Sequence, residues 1–190
     1  HENSSAASDV YKRQFKCWKK GNVGIINALG TGVADDKAVY SYVNKMIIYY
    51  LGEQPKLNQV ETFLCENKVH RQHVIENIAK LVVKPANASG GYGIMIGPKA
   101  PKKERDEMVK KIKKNPREFV AQPLEILSTI PTICENGIEP RHLDLRPFIL
   151  TGKTSYVTTG GLTRVALRKG STIVNSSQGG GSKDTMVVDA

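Results

Sequence analysis

Residues 81–97, LVVKPANASGGYGIMIG, place a glycine-rich loop between two short apolar runs. The first run ends at Lys84, and the second covers residues 94–96. This pattern predicts a strand, a flexible loop and a second strand. Glycines allow backbone N–H groups to close on a small anion, and a lysine at the strand end adds a point charge. The stretch therefore predicts a polyphosphate site, with an ordinary glycine-rich hairpin as the alternative.

The length and composition of the chain place only wide limits on its fold and its partners. The chain of 190 residues can form one well-packed core, and its formal charge of +10 suits nucleic acid, an acidic surface or an anionic substrate equally well. Apolar runs all fall short of the roughly 20 residues of a membrane-spanning helix. Cys17, Cys65 and Cys134 are widely spaced and form no C-x-x-C pair, which favours reduced thiols and a cytoplasmic location.

The N-terminal residues differ in character from the rest. The chain begins at His1, and residues 9–14, DVYKRQ, match the translation of a transposon-end adapter used in sequencing libraries. We expect residues 1–14 to be an adapter-like or disordered tail, with an N-terminally truncated natural sequence starting at Phe15. The predicted organisation continues with an N-terminal α/β portion over residues 15–80 and a second portion over residues 81–190, which begins with the predicted polyphosphate site.

Local patterns predict the elements before the loop. Residues 21–27 are typical of a turn and a buried strand, and Asp35 or Asp36 can cap a helix that runs to about residue 50. A short strand is predicted over residues 62–65 and a helix over residues 72–80. His70 and His73 have a spacing that could hold a metal, but without a third ligand nearby two solvated histidines are favoured.

After the loop, a helix is predicted from Pro101 to about residue 114, with lysines that suit its C-terminal dipole; nucleic-acid binding is the alternative for this cluster. Strands are predicted over residues 119–123, 141–150 and 155–159, the last two as a hairpin. Residues 174–185, VNSSQGGGSKDT, contain too few apolar side chains for a core and predict a loop that closes over a ligand.

Five motifs follow one another along the chain: KPANASGGYG, AQP, HLDLRPFIL, GGLTRVA and NSSQGGGSKDT. In this order and spacing, the chain from about residue 15 to 190 resembles the circularly permuted ATP-grasp proteins, relatives of glutathionylspermidine synthase and eukaryotic glutathione synthase. The resemblance implies an α/β (α+β) fold with an antiparallel-rich sheet and flanking helices, partial here because the N-terminal portion is missing.

The resemblance also implies an activity. Circularly permuted ATP-grasp enzymes join a carboxylate to an amine through an acyl phosphate, using ATP and Mg²⁺. The substrates would be small molecules or peptides, and neither nucleic acid nor a membrane would be a partner. A non-catalytic ATP-binding regulatory or scaffold protein of the same fold is the alternative. Because acidic metal ligands would precede Phe15, the fragment alone is expected to be inactive.

By the same resemblance, one group of positions belongs to the nucleotide. Lys84 would contact the phosphates beneath a mobile glycine lid, while Ala121 and Gln122 would offer backbone groups to the adenine. The remaining nucleotide positions are Ser89, Gly90, Gly91, Gly93 and Asp144.

A second group of positions would face the substrate. Arg146 and Arg164 would receive the carboxylate or acyl phosphate, and Asn175 would complete this catalytic set. Arginine suits the role because its planar fork can hold such groups through two hydrogen bonds at once. Asn27 is the candidate metal ligand.

Overall fold

A computed structural model of the chain describes residues 12–27, 30–87, 93–172, 174 and 179–188. The chain divides into two compact units, His1–Gln59 and Val60–Ala190. Among the described residues, no helix is long and apolar enough to cross a membrane. All three cysteines lie within these ranges, and each carries a free thiol.

The first unit is helical over much of its described length. Residues 12–19 form α1, which therefore includes residues of the adapter-like segment, whose origin stays a prediction. The helix α2 spans Lys37–Tyr40 and α3 spans Val43–Leu51. The carboxylate of Asp36 accepts a hydrogen bond from the N–H of Ala38 at 2.8 Å and caps α2, as the sequence predicts.

Two other predictions for this unit are wrong. Residues 21–27 form no strand: the side chains of Val23, Ile25 and Ile26 are exposed, and Asn27 has a φ of 70°, which an extended strand does not permit. The helix predicted as continuous from Asp36 is interrupted between α2 and α3 at residues 41–42.

The second unit contains two antiparallel sheets. The first sheet has the order β1-β4-β2-β3. Its strands are β1 (Phe63–Leu64), β2 (Leu81–Pro85), β3 (Met95–Ile96) and β4 (Phe119–Pro123). The helices α4 (Lys68–Glu76) and α5 (Lys102–Lys114) contribute Val74, Met108 and Ile112 to a core with this sheet.

The two faces of the first sheet differ. Val83 lies opposite Ala121 in the β2–β4 register, and both belong to the core with the helices. Because side chains alternate along a strand, Lys84 and Gln122 point to the other face. The apolar run before Lys84 therefore anchors the strand from one side and leaves the lysine on the opposite side.

The second sheet has the order β5-β6-β7-β8 and is built on a long hairpin. The hairpin strands are β6 (Gly137–Thr151) and β7 (Ser155–Ala166), with a register shift between Pro147 and Ile149. The flanking strands are β5 (Thr129–Cys134) and β8 (Gly180–Met186).

The strand β8 corrects the prediction of a loop over residues 174–185. Residues 180–185 are paired with β7 in a regular antiparallel register. At Gly181 an added Cβ would lie 2.9 Å from Cδ2 of Leu167, so glycine here permits close packing. Of the rest of the segment, residues 175–178 lie outside the described residues.

The helix α4 begins earlier than predicted. It includes His70 and His73, and their contacts give each a structural role. The side-chain oxygen of Asn67 accepts hydrogen bonds from the N–H groups of Val69 and His70 and caps the helix. The Nδ1 atom of His70 accepts the N–H of Leu64 at 3.1 Å, and the ring of His73 lies 4.6 Å from that of Phe63. Both histidines therefore contact β1 and have a structural role.

Candidate functional site

A first polar cluster lies on the face of the first sheet that is opposite the helices. The ammonium of Lys84 donates to Oε1 of Gln122 at 2.6 Å, and Nε2 of Gln122 donates to the hydroxyl of Thr62 at 2.8 Å. Gln122 is only 9% exposed. Lys84 lies opposite Val120 and Gln122 opposite Val82, so the two polar side chains are diagonal neighbours. The cluster fixes the lysine just before the end of β2.

The predicted glycine lid is described at its final residue. Ser89, Gly90 and Gly91 lie outside the described residues, whereas Gly93 has a φ of 72°. An added Cβ at Gly93 would lie 3.0 Å from Cγ of Pro85, the last residue of β2. Both the conformation and the space at this position favour glycine, and they bring the end of the loop close to the strand that carries Lys84.

Ala121 and Gln122 lie in a strand that has a neighbouring strand on each side, and not in a backbone segment outside the sheets. Ala121 is fully buried and lies between Val83 of β2 and Phe63 of β1. Backbone groups of a central strand face the neighbouring strands. Residues 124–128, which join the two sheets, belong to neither of them. The role of Ala121 and Gln122 at the adenine stays a prediction. The structure shows in addition that Gln122 contacts Lys84.

A second polar cluster lies on the second sheet. Asp144 of β6 is opposite Arg164 of β7. Nε and Nη2 of Arg164 donate to Oδ1 and Oδ2 of Asp144 at 3.0 and 2.6 Å. Nε and Nη2 of Arg146 donate to the same two oxygens at 3.4 and 3.1 Å. One carboxylate thus orients two guanidinium groups and leaves the three side chains with one net positive charge. Arg146 remains half exposed.

Three polar residues that no sequence motif identifies also belong with these clusters. In the β7–β8 register Ser182 is opposite Arg164, and Asp184 is opposite Leu162, which itself pairs with Arg146. Both therefore share the face of Asp144, and strand alternation would have identified them had the segment been interpreted as a strand. Thr62 is distant in sequence from Gln122, and no motif connects the two.

Two further predicted site residues are Asn175 and Asn27. Asn175 lies outside the described residues, and Asn27 is an exposed residue of the first unit. Throughout the described part of the chain, no three histidine, cysteine or acidic side chains come close enough to hold a metal ion. The role of Asn27 as a metal ligand therefore stays a prediction.

Comparison with known proteins gives consistent matches over most of the chain. The family model for circularly permuted ATP-grasp type 2 matches residues 11–166. An uncharacterized protein of Synechocystis sp. is 54% identical over 175 residues, covering 92% of this chain and 36% of that protein. An uncharacterized protein of Mycobacterium tuberculosis (strain H37Rv) is 52% identical over 171 residues, covering 90% and 31%. A Frankia casuarinae protein named "Putative glutamate--cysteine ligase 2-2" is 50% identical over 165 residues, covering 87% and 19%. The chain thus spans about a third of the length of the first two relatives and about a fifth of the third.

Proposed function

Because the chain belongs to the circularly permuted ATP-grasp family, type 2, we propose that it carries the nucleotide- and acyl-binding residues of an ATP-dependent carboxylate–amine ligase. Its mixed α/β structure, with antiparallel sheets and flanking helices, is consistent with an ATP-grasp-like fold. Since the chain spans only part of its relatives, the catalytic activity is proposed for a protein of their full length. The observation that carries the proposal is the pair of arginines oriented by Asp144.

Lys84 is proposed to bind the phosphates of ATP, which when bound would supply the phosphoryl group that activates the carboxylate. Gln122 fixes the ammonium of Lys84 at 2.6 Å. Because an amide is neutral, this contact holds the lysine in place and leaves its charge intact. Gly93, beside Pro85, would let the glycine loop approach the same end of β2. These features support a phosphate site at Lys84.

Arg146 and Arg164 are proposed to bind the carboxylate substrate and its acyl phosphate. The two guanidinium groups are held in fixed planes by Asp144, and their net charge is positive. Fixed donors stabilise charge that develops in the reaction without having to reorganise. Once a bound substrate excludes water from the site, loss of one such contact costs about 2–5 kcal/mol. Asn175, beyond β7, is proposed to complete the substrate side.

Magnesium does not fit the described residues on their own. Among them no group of three histidine, cysteine or acidic residues comes together, and the Asp144 carboxylate is occupied by two arginines. The substrates are proposed to be a small-molecule or peptide carboxylate and an amine, and the ligase name of the Frankia relative supports this reaction class.

The test introduces Arg164→Lys into a protein of the relatives' full length that contains this chain. Lysine keeps the charge and loses the planar fork, so ADP release that depends on an added carboxylate and amine should fall roughly 30-fold or more. Arg168→Lys, at an exposed arginine of the same protein, is the matched control and should have little effect.

Two results would count against the proposal. Unchanged ADP release in the Arg164 variant would remove this residue from the reaction. ATP binding with no turnover for any carboxylate and amine tried would instead favour the regulatory or scaffold protein of the same fold.

A further inference from the structure

We propose that the chain has a separate binding site for a free α-amino acid, in a cavity of about 470 Å³ at the β5–β6 end of the second sheet. The residues that matter for recognition are Glu135, Glu139, Arg141 and Leu167, all of which line the cavity. Its volume is within the range of small-molecule sites, roughly 300–1,000 Å³. The inference goes beyond the proposed ligase activity and does not depend on it.

The cavity is distinct from the Asp144 cluster. Residues Leu143 to Pro147 of β6 pair with β7 in an uninterrupted register, and Arg141 pairs with Ile130 of β5. Since side chains alternate along a strand, Arg141 and Asp144 point to opposite faces of the second sheet. A ligand at Arg141 would therefore not occupy the proposed acyl-binding face.

Arg141 supplies a buried cation with one unused donor group. Its side chain is 6% exposed. Nε donates to the carbonyl of Leu167 at 3.2 Å, and Nη1 donates to the carbonyl of Pro140 at 3.0 Å and to Oε2 of Glu139 at 2.7 Å. Over the described ranges, Nη2 has no hydrogen-bond partner, whereas every fully buried side-chain nitrogen and oxygen has one. Nη2 must therefore be accessible, and Arg141 lines the cavity.

Glu139 supplies the complementary acceptor. Its Oε2 contacts Arg141 and lies 3.8 Å from Nζ of Lys169, whereas its Oε1 has no partner in the described part of the chain. The hydrogen bond from Arg141 and the charge of Lys169 lower the pKa of this carboxyl, so it is ionised at neutral pH. An available donor on a cation and an available acceptor on an anion are thus adjacent.

These two atoms select the chemistry of the ligand. They belong to groups that already touch at 2.7 Å, so one molecule can reach both only if its own charges are close together. An α-amino acid has this arrangement, with its carboxylate placed to accept from Arg141 and its ammonium to donate to Glu139. Charge supports the same choice. Glu135 and Glu139 balance Arg141 and Lys169, and two carboxylates would oppose a phosphate.

The experiment measures binding to the 190-residue chain by calorimetry, without ATP. The probes are glycine, L-alanine and L-glutamate, with acetate, methylamine and phosphate as single-function controls. At least one amino acid should bind with a dissociation constant of about 1 mM or lower, and each control at least about tenfold more weakly. Glu139→Gln should weaken amino-acid binding about tenfold or more, since an amide has no charge for the ammonium.

Glu125→Gln is the matched control, because it makes the same change at an exposed carboxylate that does not line the cavity, and it should bind as the unchanged protein does. The proposal is overturned if no amino acid binds, if acetate or phosphate binds as tightly, or if Glu139→Gln has no effect. Should Glu139→Gln fail to fold in thermal unfolding, the probe series on the unchanged protein still decides.

Discussion

Single side chains hold Lys84 on the one hand, and Arg146 and Arg164 on the other, in two different ways. Gln122 holds Lys84 through a neutral amide, a contact that itself cancels none of the charge of the lysine. Asp144 holds Arg146 and Arg164 through a carboxylate, which cancels one of their two charges. The first arrangement suits a polyanion such as a polyphosphate chain. The second suits a smaller charge, such as a carboxylate or an acyl phosphate.

Substitution of Gln122 tests its role at Lys84. Gln122→Glu should pair with the ammonium and reduce its attraction for phosphate, lowering the affinity of the chain for ATP about tenfold or more. Gln122→Leu removes the hydrogen bond and should lower the affinity less, by about two- to tenfold. Calorimetric titration with ATP measures both. Gln54→Glu, at an exposed position, is the control, and equal ATP affinity in Gln122→Glu and the unchanged protein would contradict the assignment.

Cys65 should make stability depend on pH in the alkaline range. Burial raises the pKa of its thiol to about 11, from 9.0, despite the opposing charge of Arg71. A raised pKa in the folded state contributes stability that is complete below pH 9 and is lost as the pH rises towards 11, by about 2 kcal/mol. Urea unfolding at pH 8 and pH 11 should show the free-energy advantage over Cys65→Ala shrinking by this amount. A constant difference would show that the thiol is not desolvated.

At the scale of helices and strands, the sequence predicts the elements whose ends are marked by residues next to them. Pro101 precedes α5, and Asn115 followed by Pro116 ends it, while β4 coincides with the predicted FVAQP strand. The strands β5 and β8 were not predicted. They lie at the two edges of the second sheet, and β5 contains a proline while β8 begins with two glycines. Pairing with the long β6–β7 hairpin, rather than their own side-chain pattern, makes them strands.

The sequence predicts the part of the candidate site that is formed by residues of recognisable motifs. The D-x-R motif places Asp144 and Arg146 on the same face of a strand, and hairpin pairing brings Arg164 to the same carboxylate. The contact of Gln122 with Lys84 depends on the β2–β4 register, which joins residues far apart in sequence. A sequence pattern fixes alternation within one strand but leaves the pairing between distant strands undetermined.

Gly97 tests how closely the elements around β2 are packed. An added Cβ there would collide with the carbonyl oxygen of Ile78 and would lie 2.6 Å from that of Leu81. Backbone cannot move aside as a flexible side chain can, so Gly97→Ala should destabilise the fold by about 2 kcal/mol or more. Gly24→Ala, with nothing within 4 Å, should change stability by less than about 0.5 kcal/mol. Urea unfolding compares the two variants, and equal stabilities would refute the close approach.

In the molecule as a whole, the buried core belongs to the second unit. The buried apolar side chains run from Cys65 to Val174, whereas in the described part of His1–Gln59 no residue is buried. Burial of apolar surface is the main favourable term in folding. The free energy of unfolding should therefore come almost wholly from residues 60–190.

A chain of residues 60–190 is expected to fold by itself, with an unfolding free energy within about 1 kcal/mol of that of the whole chain. Residues 81–190, the portion that sequence alone separated, would lack Cys65, Val74 and Ile78 from the core around β2. Each missing core side chain costs about 2–5 kcal/mol, so this shorter chain should lose cooperative unfolding. Urea titration followed by circular dichroism distinguishes the two. If residues 81–190 unfolded as cooperatively as residues 60–190, then β1 and α4 would not be integral to the core, and the boundary at residue 80 would be the correct one.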